Sequence, residues 1–341
     1  MRMTKKEAVE LLQHSDPITL GRLADAERLR RYGNTTTFIV DRNINYTNVC
    51  VNECRFCAFF RRKEHKDAYL LTYEDILEKV RETVEAGGTQ VMIQGGLYPD
   101  LGLPYYEKML RLIKEKYEIT IHSFTATEIQ HFARQEGISV LETLRRLQAA
   151  GLDSLPGGGA EILSDRVRAR VSEKKINTAD WLAVMEAAHS IGMESTATMV
   201  IGLGETMEER IGHMEKIRRL QEKTGGFRAF ITWTFQPGNT QLGGEKTSSW
   251  DYLKTLAMTR LYLDNIHHIQ GSWVTQGERI GQLTLGFGAD DLGSIMLEEN
   301  VVRAAGTSYE MSVRKMVGLI QGAGRQAAQR DTEYNIIKRF D

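Results

Sequence analysis

Asn43-Ile44-Asn45-Tyr46-Thr47-Asn48-Val49-Cys50-Val51-Asn52-Glu53-Cys54-Arg55-Phe56-Cys57 contains every cysteine of the chain, three thiols within eight positions. The run 38–46 is short, apolar or β-branched and reads as a strand, so the thiols sit in the loop that follows it. Three thiols clustered in this way leave no disulfide framework and point to metal or redox chemistry. Soft thiolates suit iron-sulfur ligation, and a closed 4Fe-4S site ordinarily takes four of them, so one iron would stay open to another ligand. Two other readings stand beside this one: a structural zinc site completed by His65, or a simple electron carrier. Zinc knuckles usually have a second ligand pair nearby, and a carrier would want a fourth cysteine.

Outward from that loop, strand-like runs alternate with longer segments of helical period. They lie at 38–46, 90–94, 119–124, 153–156, 195–201, 229–235, 266–273 and 285–288. Eight βα units in series predict an α/β fold of the (β/α)8 barrel type, although an open doubly wound sheet is the alternative. In such a barrel the loops after the strands form the catalytic face, where the thiols would meet a substrate. Thr72, Ser139 and Thr206 each stand three residues before an acid and read as helix caps, while Gly87, Gly151 and Gly192 read as helix ends. In the helix after Thr72, residues Ile76, Leu77, Val80 and Val84 fall on one face. The expected organisation is an N-terminal helical extension at 1–36, the barrel at 37–293 and a C-terminal helical cap at 294–341.

Composition narrows the partners. Lys and Arg total 44 against 45 for Asp and Glu, a formal charge of -1, so no bulk field favours nucleic acid or an anionic membrane. No apolar run is long enough for a membrane span, and the first residues lack the apolar core of a signal peptide. These features predict a cytoplasmic protein acting on a small molecule.

CxxxCxxC after the first strand, with aromatic Phe56 before the last cysteine, resembles the motif of radical S-adenosylmethionine (SAM) enzymes. That resemblance implies a 4Fe-4S cluster on Cys50, Cys54 and Cys57, with SAM chelating the fourth iron. It also implies an electron donor such as a flavodoxin or ferredoxin. Gln94-Gly95-Gly96 is similar to the glycine turn that approaches the methionyl amino group, although the acidic residue often found after the glycines is missing here. The stretch that begins at Thr198 and runs through Gly202 resembles the region bordering the adenine, and Glu161 is placed to accept from the ribose hydroxyls or the ammonium. Neither Gly202-Leu-Gly204 nor Gly157-Gly158-Gly159 forms a dinucleotide fingerprint.

Seven further stretches resemble the cyclase branch of this family, which serves the futalosine route to menaquinone. They are 96–106, 121–124, 153–162, 224–227, 233–240, 270–277 and 328–332. Sister branches, the aminofutalosine synthases and the enzymes building the deazaflavin chromophore, share much of this. The cyclase resemblance implies hydrogen removal from the 4′ carbon of a ribose, followed by attack of the carbon radical on an attached benzoate ring. Such a nucleoside-like substrate requires aromatic flanks, polar contacts, an anion partner and a base. Trp233 and Trp273 are the candidate flanks, and Gln236, Asn239, Ser272 and Thr275 the candidate contacts. His122, Asp290 and Asp291 are the base candidates, and Arg61 and Arg62 could meet the carboxylate. Each also has a purely structural reading: a satisfied barrel histidine, helix-capping acids, a solvated basic pair.

Overall fold

The computed structural model describes residues 2–340. Among them the strands are β1 (Thr35–Ile39), β2 (Asp41–Ile44), β3 (Gln90–Ile93), β4 (Thr120–Ile121), β5 (Ser195–Ile201), β6 (Phe227–Thr234), β7 (His268–Gln270), β8 (Asp291–Ser294), β9 (Gln326–Arg330) and β10 (Ile336–Phe340). They form a seven-stranded sheet in the order β10-β9-β1-β8-β7-β6-β5 and a three-stranded sheet in the order β2-β3-β4. Every pairing is parallel except the β9–β10 hairpin.

The two sheets follow a barrel plan without forming one continuous ladder. On one side β1 and β2 are a single run of chain interrupted at Val40. On the other, the isolated parallel bridges His122↔Ser154 and Leu155↔Ser195 carry the pairing from β4 to β5. The expected strand at 153–156 is thus reduced to these bridges.

Helices cover the outer face, and their ends follow the expected capping chemistry. Thr72 and Asp75 exchange reciprocal side-chain to backbone hydrogen bonds at the start of Tyr73–Glu85, and Thr206 and Glu209 do so at Met207–Thr224. Gly151 closes Val140–Ala150 at φ 117°, a conformation a Cβ would oppose. Ile76 and Val80 are fully buried, but Val84, expected on the same face, is 39% exposed near its helix end. The N-terminal extension consists of two helices, Lys5–His14 and Pro17–Tyr32, and the second packs on Ser249–Tyr262.

Two elements depart from expectation. The apolar run 285–288 is not the eighth strand: Thr284–Gly286 is a turn of 3-10 helix, and Phe287 packs on Gly21 of the N-terminal helix, where an added Cβ would come within 2.8 Å of its ring. β8 lies further on and starts at Asp291, opposite Thr37 of β1. The C-terminal stretch is not a purely helical cap either. After Val301–Ala304 and Val313–Gly322 the chain forms the β9–β10 hairpin, with β9 on β1 from Thr35↔Gln326 to Phe38↔Gln329. β3 pairs with this run of chain only from Asp41↔Gln90 onward, so β9 fills the flank below it. Gln326-Ala-Ala-Gln-Arg330 has helix-favouring composition, and an open strand edge overrides that preference.

Candidate active site

The loop after β2 is built around the backbone of Arg61. Cys50 N–H donates to the Arg61 carbonyl at 3.1 Å, and Arg61 N–H donates to the Asn48 carbonyl at 2.7 Å. Nη1 of the Arg61 guanidinium donates to the carbonyls of Ala58 and Phe60, at 3.0 and 2.8 Å. Gly96, in the turn after β3, lies beneath this loop, and a Cβ there would come within 2.1 Å of the Val49 carbonyl oxygen, so the turn needs glycine for the loop to close. Arg62 points to solvent and pairs with Glu53 at 2.7 Å. Neither arginine lines the two cavities of this site, where a substrate carboxylate would lie.

Cys50, Cys54 and Cys57 line one wall of a cavity of about 260 Å³, together with Phe56, Gln94, Gly95 and Gly96. Burial pushes the Cys54 thiol up to about 12 and also raises that of Cys57, although the backbone N–H groups of Phe59 and Phe60 partly offset the latter. Thiolates at such positions need cationic metal to hold them. Among the described residues no three Cys, His, Asp or Glu side chains gather as a single-ion site, and His65 is a surface residue whose Nδ1 accepts from Asp67 N–H. That does not suit the zinc reading. In a four-iron cluster each thiolate takes a different iron, which matches three thiols spread along one wall.

A second cavity, of about 270 Å³, fills the barrel interior. It meets the first at Gln94, Gly158, Gly159, Glu161 and Val301, which line both. Residues 44–217 match the family model of the radical SAM superfamily, and residues 224–340 match that of the CofH/MqnC C-terminal region. The chain belongs to the radical SAM superfamily. It is similar to the cyclic dehypoxanthine futalosine synthase of Streptomyces coelicolor, 49% identical over 346 residues and covering 100% of this chain and 87% of that protein. The protein of the same name from Halalkalibacterium halodurans is 47% identical over 343 residues, covering 100% and 93%. The solved structure of methylornithine synthase superposes with a TM-score of 0.77 at 20% identity, over 96% of this chain and 95% of that one, a likeness of fold alone.

Radical SAM enzymes carry a 4Fe-4S cluster and SAM. The residues present fit both. Besides the three thiols, Glu161 is buried between the cavities at φ 42°, an uncommon conformation for a side-chain-bearing residue. Its Oε1 accepts from Lys175 Nζ at 2.6 Å, while Oε2 is buried without a hydrogen-bond partner, as a carboxylate awaiting a polar ligand would be. Burial opposes the Lys175 charge, yet Glu161 and Cys54 facing it outweigh that and hold its pKa above the ordinary value. Thr198 lines the barrel cavity, with its hydroxyl donating to the Gly157 carbonyl at 2.7 Å. Gly202 lines neither cavity; the Thr247 hydroxyl occupies the place a Cβ would take, 2.3 Å away.

Glu128, which was not singled out in the sequence, occupies the position beneath the glycine turn. Its Oε1 accepts from Gly95 N–H and Tyr46 O–H, both at 3.0 Å, and its Oε2 from Thr125 N–H at 2.8 Å. It is fully buried, and burial raises its pKa. A carboxylate from the next helix but one thus supports the glycine turn from below. Only its pairing with Thr125 as a capping box was open to a sequence reading.

Of the residues expected to face the substrate, Trp233, Ser272, Trp273 and His122 line the barrel cavity. Trp273 is anchored by its indole N–H on the Ser294 carbonyl at 3.0 Å. Gln236, Asn239 and Thr275 do not line it: Gln236 is bonded to Thr234 and Thr307, and Asn239 to the Ala304 carbonyl. Asp290 and Asp291 stand outside the cavity as well, at the start of β8 and not after it. Asp290 pairs with Arg260 and with His268 Nδ1. Asp291 takes Arg330 in a two-pronged pair at 2.6 and 3.1 Å and also accepts from Thr37 and Gly293. Both carboxylates are engaged in buried charge pairs, and neither lines the cavity.

Among the described residues three acids line the cavity: Glu161, Glu299, whose oxygens accept from the backbone N–H groups of Val301, Val302 and Arg303, and Asp41, whose oxygens accept from Ser294 Oγ and, at 2.6 Å, from Gln90 Nε2. Burial raises the pKa of Asp41. His122 holds Ser154 Oγ at 2.7 Å, and burial, then the charges of Arg228 and Arg330, hold its pKa well below the usual histidine value. Arg330, Thr332 and Tyr334 of the C-terminal hairpin complete the cavity wall, so this tail belongs to the site.

Proposed function

We propose that this radical SAM enzyme converts dehypoxanthine futalosine to cyclic dehypoxanthine futalosine in menaquinone biosynthesis. The observation that carries the reading is the junction of the two cavities: a molecule held in the barrel lies beside the cysteine-lined chamber, with Gln94, Gly158 and Glu161 between. The names of the relatives described above supply the substrate. When bound, cluster and SAM supply a carbon radical that takes the hydrogen from the 4′ carbon of the substrate ribose.

This chain's own residues have three tasks. Thr198 and Glu161 orient SAM, Trp233 and Trp273 flank the substrate rings, and Ser272 offers a polar contact on the same cavity wall. Closure of the barrel interior keeps water away from the substrate radical while it adds to the benzoate ring. Holding the two carbons together removes most of the entropic barrier, with effective molarities of about 10⁵ M or more in well-oriented systems. Rearomatisation then gives one proton to a base of the chain and one electron to a one-electron acceptor, such as the oxidised form of the carrier that starts the turnover. Asp41 is better suited than His122 to take the proton, because its surroundings favour protonation and those of His122 oppose it.

The electron that starts each turnover comes from a carrier such as a flavodoxin or ferredoxin, and the setting is the cytoplasm. Among the described residues no helix is long and apolar enough to cross a membrane. The test is anaerobic turnover of reconstituted protein with dehypoxanthine futalosine, SAM and a strong reductant. The expected result is one 5′-deoxyadenosine for each product molecule two hydrogens lighter than the substrate. Inactivity on this substrate, with turnover of an aminofutalosine synthase substrate instead, would reassign the chain to the sister branch.

A further inference from the structure

A benzoate needs a cationic partner, and the arginines beside the cysteine loop line neither cavity. Arg228 differs from them. It stands at the N-terminal end of β6, on the barrel floor, and lines the same cavity as Trp233. Its side chain is 11% exposed and its Nη1 donates to Glu194 Oε2 at 3.3 Å. Nε and Nη2 are buried and have no hydrogen-bond partner. These two nitrogens are the side-on fork that takes a carboxylate with two parallel hydrogen bonds.

We infer that Arg228 is the receptor for the substrate's benzoate carboxylate, binding it through the Nε–Nη2 fork at the end of the barrel opposite the cysteines. The inference rests on the functional reading above and adds to it the group that fixes the far end of the substrate. The other cation on that floor, Arg330, is neutralised by its two-pronged pair with Asp291 and leaves Arg228 as the cation with hydrogen bonds to give. Glu194 is half exposed, so it holds Arg228 weakly and lets the fork swing toward the cavity. Buried guanidinium N–H groups without a partner are costly and persist where a ligand supplies the acceptors. The low pKa of His122, set by burial and then by Arg228 and Arg330, reports the positive field at this floor. With the carboxylate held there, the ribose end of the molecule is directed up to Gly158 and Glu161, where the 4′ hydrogen must be removed.

The test compares kcat/KM for dehypoxanthine futalosine with that for its analogue bearing a carboxamide in place of the carboxylate, in the wild type, Arg228→Gln and Arg228→Lys. The wild type should prefer the carboxylate by on the order of 10²-fold. In R228Q that preference should vanish, with the loss mainly in KM and with unchanged iron content. R228K, which keeps the charge and loses the fork, should fall between, and it carries the test alone if R228Q does not accumulate as folded protein. A merely structural role would lower both substrates equally and leave the ratio unmoved. If the wild type turns over the nucleoside and the variants keep its preference, the inference is wrong while the functional reading stands. If the wild type does not turn it over, the functional reading fails first and the inference goes with it.

Discussion

Lys175 Nζ lies 2.6 Å from Glu161 Oε1, and both side chains are buried between the cysteine chamber and the barrel interior. A carboxylate with one oxygen paired and the other open is held rigidly enough to orient a ligand while keeping an acceptor for it.

Arg168 Nη1 also lies 3.7 Å from Glu161 Oε2, so removing Lys175 leaves the carboxylate its more distant cation. Lys175→Met should therefore destabilise the protein by less than the ~3–5 kcal/mol expected for an isolated buried pair, read as a shift in the denaturant midpoint, and weaken SAM binding measured by equilibrium dialysis. Glu161→Gln keeps the shape and an acceptor, so its larger effect should be on SAM affinity, with a smaller one on stability. A variant pair in which SAM affinity does not move would assign Glu161 a purely structural role.

Asp291 and Arg330 tie β8 to the C-terminal hairpin. Asp291→Asn should cost roughly 3–5 kcal/mol in stability because Arg330 would be left buried and unpaired. Once folded below its new midpoint, the variant should still cleave SAM at the wild-type rate, since Asp291 lines neither cavity. Loss of cleavage in properly folded D291N would return this residue to the list of catalytic groups.

Asp41 and His122, which both line the barrel cavity, can be told apart by product analysis. Asp41→Asn should lower cyclised product by about 10²-fold or more, while 5′-deoxyadenosine still forms, because hydrogen removal precedes the proton loss that Asp41 would serve. His122→Asn should preserve the ratio of the two products. The reverse pattern would make His122 the base.

Acid sensitivity follows from buried neutral histidines. Burial pushes His213 down to about 3 and His189 down to about 4, and His122 is also lowered by burial first. Unfolded chains take up these protons below about pH 6.5 and the folded protein does not, so stability is complete above that pH and falls as pH drops toward the folded values. The slope should be about 1.4 kcal/mol per pH unit for each such histidine. His213→Asn, which keeps an acceptor for the Leu163 N–H bonded at 3.0 Å, should make the acid limb of the denaturation-midpoint profile shallower. An unchanged limb would mean that other groups set it.

Much of this site was legible in the chain because its signals are local. Cys50, Cys54 and Cys57 announce the cluster by spacing, and Gly96 marks a close approach that the structure locates under the Val49 carbonyl. The capping pairs at Thr72 and Thr206 needed only four residues each. What misled was also local: Leu285-Gly-Phe-Gly288 has the apolar content of a strand, but Phe287 is used against Gly21, some 260 positions away in the chain.

The sequence by itself determined the chemistry, since three thiols in one short loop after a strand define the metal site whatever surrounds them, and successive βα units define a parallel sheet. Only the tertiary structure decided which charged groups are free. Asp290, Asp291, Arg61 and Arg62 look as available in the chain as Asp41, Glu128 and Arg228 do. Partners such as Arg330 for Asp291 are distant in sequence, and a charge in a low-dielectric interior is either neutralised by such a partner or left open for a ligand.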